Sequence, residues 1–183
     1  MPHITPAHLH VLINHIPIIG LPVIAVLLAW GLARREDAVI RAALIGAVLI
    51  AAGTWLTNFT GDPAIDDIRH ASWFQKPVVH AHEKAGDRAN IAGIVAGVAA
   101  LATLILARGG KPFLRPAVLG VLFALGVAAV LAGWAGWQGG KIRHTEFEVT
   151  PPAVAESSLP LVQVIARATS PGHRTCVAGY RGA

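Results

Sequence analysis

Residues 16–33 read IPIIGLPVIAVLLAWGLA, a stretch without a single charged side chain. A helix needs roughly 20 apolar residues to cross about 30 Å of hydrocarbon, so this stretch has nearly the length of a membrane span. Three more apolar stretches follow at residues 42–56, 91–107 and 117–136. Lipid offers the backbone no hydrogen-bond partner, and none of the four alternates like a barrel strand. All four are therefore predicted to be transmembrane helices.

The composition supports the same interpretation. Mean hydropathy is +0.58, and charged residues make up 14 % of the chain, whereas a soluble domain usually holds about 25 %. We predict an all-α fold: an integral membrane four-helix bundle over residues 1–147, followed by an irregular external tail over residues 148–183. The spans are expected at about residues 9–34, 39–59, 88–107 and 114–138.

Basic residues indicate which way the bundle faces. The two short connections between spans carry Arg34, Arg35 and Arg41, then Arg108, Lys111 and Arg115, while the first 33 residues contain no Lys or Arg. The positive-inside rule places those connections in the cytoplasm and both termini outside it. A net charge of +5 does not indicate nucleic acid, because the basic residues form no aromatic-basic face. Membrane lipid is the expected partner instead.

Histidines gather at the opposite mouth of the predicted bundle. Ionisable groups that concentrate near the ends of membrane spans, on one side of a bundle, favour a functional site. Helix bundles commonly build metal and cofactor sites from side chains on facing helices. Cys176 is the only cysteine, so a cysteine cluster or a two-cysteine haem attachment within the chain is excluded. We predict that four histidines act as ligands: His10, His15, His82 and His144. His8, His70 and His80 are the alternative ligands.

The ligand type leaves more than one cofactor open. Imidazole suits haem iron as well as zinc or copper. Haem b, in one or two copies, is favoured because two neutral imidazoles on facing helices can bind iron from both faces of a macrocycle. The alternatives are a zinc or copper site that adds Glu83 or Glu146 to the same histidines, and a cofactor-free anchor subunit of a larger complex.

Charged residues beside the histidines have predicted supporting roles. Ligand histidines are usually oriented by acceptors around them, for which Glu83, Asp62 and Glu146 are the candidates. The expected partners of the haem propionates are Arg143, Lys84 and Arg88.

Two features concern packing. The long connection over residues 62–89 is expected to hold a short interfacial helix at residues 65–74. Glycines in the third and fourth spans are expected to let neighbouring backbones approach closely. These glycines are Gly93, Gly97, Gly126, Gly133, Gly136 and Gly140.

Several motifs also resemble a known family. The sequence contains His10-x-x-x-x-His15-x-Pro17, Thr60-Gly61-Asp62-Pro63-Ala64, His82-Glu83 and Gly140-Lys141-Ile142-Arg143-His144-x-Glu146. Over about residues 8–147 it resembles the bacterial four-span membrane family called domain of unknown function 2231. Relatives often carry a glutamate shortly after the position of Ala64, where this chain has Ile65-Asp66-Asp67. The resemblance implies an inner-membrane bundle, sometimes associated with cytochrome domains.

Together these observations predict a b-type cytochrome-like subunit of the bacterial inner membrane. Its haem would lie near the periplasmic face, and both termini would be periplasmic. Electrons would pass between a quinone pool and external or membrane-bound redox partner subunits. The expected role is electron transfer within a respiratory complex rather than stand-alone enzymatic catalysis, because the protein would tune a potential and make no bonds.

Overall fold

The computed structural model of the chain describes residues 4–144, and within that range every regular element is helical. The helices are α1 (Pro6–Arg34), α2 (Asp37–Phe59), α3 (Gly61–Ile68), α4 (Lys76–Leu106) and α5 (Arg115–Arg143). All but α3 are long and apolar enough to cross a membrane. The predicted all-α architecture is confirmed for this range, whereas the tail, Glu146 and Cys176 lie outside the described residues.

The four long helices form a bundle in which each contacts two neighbours. α1 packs on α2 and α5, and α4 packs on α2 and α5, so α1 and α4 occupy opposite corners. The two basic connections lie at the same end, because the Arg41 guanidinium stacks 5.0 Å from the centre of the Phe113 ring. The opposite end holds α3 and the predicted histidine mouth.

The boundaries of α3 and α4 differ from the sequence prediction. α4 begins at Lys76, well before residue 88, so His80 and His82 are helical rather than part of a loop. Lys84, Asp87 and Arg88 interrupt the apolar run, but they are all exposed and share one side of the helix, so the helix continues beyond its apolar part. The short helix spans Gly61–Ile68 instead of residues 65–74.

Small residues bring the helices together. Gly97 packs against the Ala51 side chain, and a Cβ added to Gly93 would lie 2.9 Å from Cγ2 of Thr54. Close packing at these two glycines is therefore confirmed. The same prediction is wrong for the α5 glycines Gly126, Gly133 and Gly140, where an added Cβ would have no neighbour within 4 Å, whereas Gly136 does face a neighbouring helix.

The buried core is rich in alanine. Larger buried side chains such as Leu28 and Leu125 fill the remaining interior. Many bulky apolar residues point outward from all four long helices, a pattern typical of helices that span a membrane. The alanines of the core cluster are Ala43, Ala47, Ala85, Ala89, Ala96, Ala100, Ala128, Ala132 and Ala135.

The glycine contacts generate a stability prediction. Gly97→Ala should lower the free energy of unfolding in detergent by about 1–3 kcal/mol, because the new methyl group would overlap Ala51. Gly126→Ala is the matched control, since it adds the same methyl group to an open helix face and should be neutral or stabilising by up to about 1 kcal/mol. Thermal or denaturant unfolding of both variants measures the difference. Equal stability of the two variants would contradict the α2–α4 contact.

Candidate functional site

Two of the predicted ligand histidines meet inside one end of the bundle. His10 on α1 and His82 on α4 have ring centroids 6.2 Å apart, with their ring planes at 80°. Both side chains are half-buried. Because α1 and α4 occupy opposite corners, the two rings reach each other across the bundle interior. We call them the histidine pair.

The hydrogen bond of His82 determines which ring nitrogen carries the proton. Nδ1 of His82 lies 3.0 Å from the carbonyl oxygen of Ala135 on α5. A carbonyl only accepts, so Nδ1–H must donate. In the neutral ring Nε2 then carries a lone pair and is able to bind a metal.

His10 has the same tautomer as His82, with the proton on Nδ1, but through a different hydrogen bond. Its Nδ1 lies 3.0 Å from Oγ1 of Thr60, and that hydroxyl donates its own hydrogen to the Thr57 carbonyl at 2.9 Å. The Thr60 oxygen is therefore the acceptor, and Nδ1–H of His10 donates to it. This assignment follows from the hydrogen-bond network. Both members of the pair consequently present an unprotonated Nε2.

Glycine makes room for the His82 ring. A Cβ added to Gly139 on α5 would lie 3.0 Å from Cε1 and 3.1 Å from Nδ1 of His82. Gly61, at the start of α3, lies beside the His10 ring, where an added Cβ would meet Cε1 at 3.9 Å. The ring of His82 is thus held closely by α5, whereas His10 has ordinary van der Waals space toward α3.

The other two predicted ligands are on the surface. His15 is exposed, and its Nδ1–H donates to the Val11 carbonyl of its own helix at 2.7 Å. His144 is exposed directly after the last residue of α5. Their role as ligands stays a prediction. His10 and His15 face different directions because five residues rotate a helix by about 140°.

The predicted supporting residues also have other partners. Glu83 does not orient His82; its Oε2 lies 3.1 Å from Nδ1 of His80. The guanidinium of Arg143 lies 4.6 Å from the centre of the Trp73 ring, which connects the end of α5 to the segment between α3 and α4. The remaining predicted partners, Asp62, Lys84 and Arg88, are exposed.

Sequence reasoning missed the residues that fix the pair. Thr60 was visible as part of a motif, but its contact with His10 depends on the turn between α2 and α3. The acceptor of His82 is the backbone carbonyl of Ala135, which any residue type at position 135 would provide, so the sequence does not indicate it. Gly139 was the one available signal, since a glycine inside a helix often marks a close approach.

The donor set of the site is limited to the pair. Within residues 4–144, no group of three or more His, Cys, Asp or Glu side chains is placed to hold a metal ion. The arrangement therefore offers two nitrogen ligands from opposite helices rather than a closed tetrahedral set.

Comparison with known proteins adds no further information on this site. No family model matches the chain, and no curated protein or solved structure matches it. The resemblance to the four-span family therefore stays a prediction.

The Thr60 contact can be tested in the cofactor-free protein. Thr60→Val removes the acceptor of His10, which should weaken that contact by about 0.5–1.5 kcal/mol and shift His10 away from its Nδ1–H tautomer. Imidazole ¹⁵N NMR of histidine-labelled protein measures the change. His82, bound to Ala135, should stay unchanged, and Thr60→Ser should behave like wild type. An unaltered His10 signal in Thr60→Val would refute the assigned network.

Proposed function

We propose that this chain is a multi-pass protein of the bacterial inner membrane in which the histidine pair binds haem b, and that it serves as an electron-transfer subunit. A quinone pool and an external redox protein are the proposed electron partners. The observation that carries the proposal is the meeting of two imidazoles from opposite helices, each with Nδ1–H engaged and Nε2 unprotonated.

The number of ligands favours haem over zinc or copper. Structural zinc sites need four protein ligands and catalytic ones usually three, whereas two histidines would be enough to hold a haem iron. The ring centroids of the pair lie 6.2 Å apart, so both imidazoles could bind the same iron. Zinc or copper remains the second candidate, and it requires ligands beyond the pair.

The surrounding residues contribute orientation. Ligating histidines usually donate their second ring nitrogen to a carbonyl or another acceptor, which fixes the ring and raises its basicity. The Ala135 carbonyl does this for His82, and Thr60 does it for His10. When bound, haem supplies a one-electron couple whose potential depends on these ligands and on burial. Gly139 keeps α5 close to the His82 ring.

Absorption spectroscopy of the protein purified without added metal tests this proposal. Wild type should show a Soret band and dithionite-sensitive visible bands of low-spin haem. His10→Ala and His82→Ala should each abolish the low-spin signal, because each removes one of the two histidines proposed to hold the haem iron. The matched controls are His15→Ala and His144→Ala, which remove exposed histidines near the same end and should keep the spectrum.

The outcomes separate the candidate functions. Haem-free wild-type protein that contains zinc or copper would favour the metal site, and protein without either would favour the anchor subunit. Loss of the signal in His15→Ala or His144→Ala would instead restore the wider ligand set that the sequence predicts.

The proposed orientation places the histidine pair at the periplasmic face. Within residues 4–144, six basic residues lie at each end of the long helices, so the charge count alone does not select a side. The first span supports a cytoplasmic location of the two connections, because no Lys or Arg precedes it while Arg34 and Arg35 stand at its end, and the first helix usually dominates orientation. The basic residues at the histidine end are Arg69, Lys76, Lys84, Arg88, Lys141 and Arg143.

Cys176 provides a direct test of orientation because the chain has no other cysteine. A membrane-impermeant maleimide added to intact spheroplasts should label Cys176. In the paired variant Cys176→Ser/Lys111→Cys, labelling should require permeabilisation, since residue 111 lies in a basic connection. The reverse pattern would place the histidine pair on the cytoplasmic side.

A further inference from the structure

A second site lies at the other end of the bundle. A cavity of about 240 Å³ opens where α1, α2 and α5 meet. Its floor is apolar and buried, formed by Leu32, Ile40 and Val118. Its rim carries the exposed residues Arg35, Asp37 and Arg115, with Phe113 beside them. An apolar floor below a charged rim fits a ligand with a hydrocarbon part and a polar part.

The rim arginines are available for a ligand. Within residues 4–144, the side chains of Arg35 and Arg115 form no hydrogen bond or ion pair, even though Asp37 lines the same cavity. Guanidinium groups bind phosphate oxygens through two parallel hydrogen bonds. Two unpaired guanidinium groups at one opening are therefore suited to a phosphate diester.

Backbone groups at the rim favour an anion as well. Asp37 is the first residue of α2 and Arg115 is the first residue of α5, and neither helix has a side-chain hydrogen bond at its N-cap. The first N–H groups of a helix lack partners inside the helix and attract negative charge. Two helix N-termini without a side-chain cap thus lie at the cavity that the arginines line, and Asp37 already places one negative charge at that of α2.

Arg35 occupies its position at a conformational cost. It ends α1 in the left-handed conformation, with φ 56° and ψ 39°, and is the only non-glycine residue with positive φ in residues 4–144. Glycine is the residue that usually ends a helix in this way, because it has no Cβ to strain. An arginine that bears this strain and lines a cavity suggests that its side chain is needed there.

We propose that this cavity binds the headgroup of an anionic phospholipid of the phosphatidylglycerol type. The phosphate diester would lie between Arg35 and Arg115, a headgroup hydroxyl would donate to Asp37, and an acyl chain would lie along Leu32, Ile40 and Val118. Basic pockets between membrane helices commonly bind anionic headgroups. The proposal rests on the proposed membrane insertion, but not on haem binding.

The charge of the rim favours an anionic lipid over a zwitterionic one. Two arginines and one carboxylate leave one positive charge at the opening. Phosphatidylglycerol carries one negative charge, which would neutralise the positive charge of the rim. Phosphatidylethanolamine and phosphatidylcholine carry no net charge. We therefore expect selectivity between lipids that share the same acyl chains.

Native mass spectrometry of the detergent-purified protein tests the site. Equal amounts of phosphatidylglycerol, phosphatidylethanolamine and phosphatidylcholine are offered, and bound lipid is counted. Wild type should retain phosphatidylglycerol preferentially. Arg35→Gly and Arg115→Gln should each weaken that retention about fivefold, the effect of one basic residue on an anionic headgroup. Millimolar inorganic phosphate should not displace the lipid, because it lacks the acyl chain.

Arg34→Gln is the matched control. It removes one positive charge from the neighbouring position, but the Arg34 guanidinium lies over Trp30 and does not line the cavity. Lipid retention should therefore stay near the wild-type level. Arg35→Gly should also unfold at the same or a higher temperature than wild type, because glycine relieves the left-handed strain. If Arg35→Gly binds less lipid but is as stable as wild type, the Arg35 side chain acts in lipid binding and not in folding.

Three results would overturn the proposal. They are an equal loss of lipid in Arg34→Gln and Arg35→Gly, equal retention of the zwitterionic lipids by wild type, and full displacement of the lipid by inorganic phosphate. A haem spectrum measured on the same samples keeps the two proposals distinct. Arg35→Gly should leave that spectrum unchanged, whereas failure of haem binding in wild type would leave the lipid result intact.

Discussion

Close approach of the helices at small side chains is the constraint on which the rest of the structure depends. In the proposed membrane setting, lipid would remove the hydrophobic drive that holds soluble bundles together, and helices would associate through van der Waals packing between small residues. Gly97 against Ala51 and the buried alanines of α4 and α5 provide that packing. The resulting bundle is narrow enough for side chains from opposite corners to touch. The contact between His10 and His82 is a consequence of this narrowness.

The same closeness explains how His82 obtains its hydrogen bond. In a helix, the carbonyl of Ala135 points toward the residue four positions later, which is Gly139. A side chain at position 139 would meet the His82 ring. Glycine instead leaves the carbonyl open, and its second lone pair is able to accept the imidazole N–H. One missing Cβ thus provides both the space for the ring and the acceptor that orients it.

The sequence alone predicts the long helices but not the contacts between them. Apolar length alone identified the four long helices, and the helix period showed that His10 and His15 face different directions. The charged residues before residue 91 predict too late a start for α4, because Lys84 and Arg88 lie on its exposed side and do not interrupt the helix. The hydrogen bond between His82 and the Ala135 carbonyl and the contact between His10 and Thr60 could not be predicted, since both depend on how separate helices pack.

The two ends of α1 relate the proposed sites to each other. His10 lies in α1 and Arg35 directly follows the last residue of that helix. Their separation of 25 residues corresponds to about 38 Å at a rise of about 1.5 Å per residue. The hydrocarbon core is only about 30 Å thick, and a tilt of about 20° shortens the span only slightly. An Arg35 held at one headgroup layer therefore places His10 within the opposite headgroup layer. At that depth the histidine pair would be close to redox partners in the aqueous phase while the helix walls below it remain in lipid.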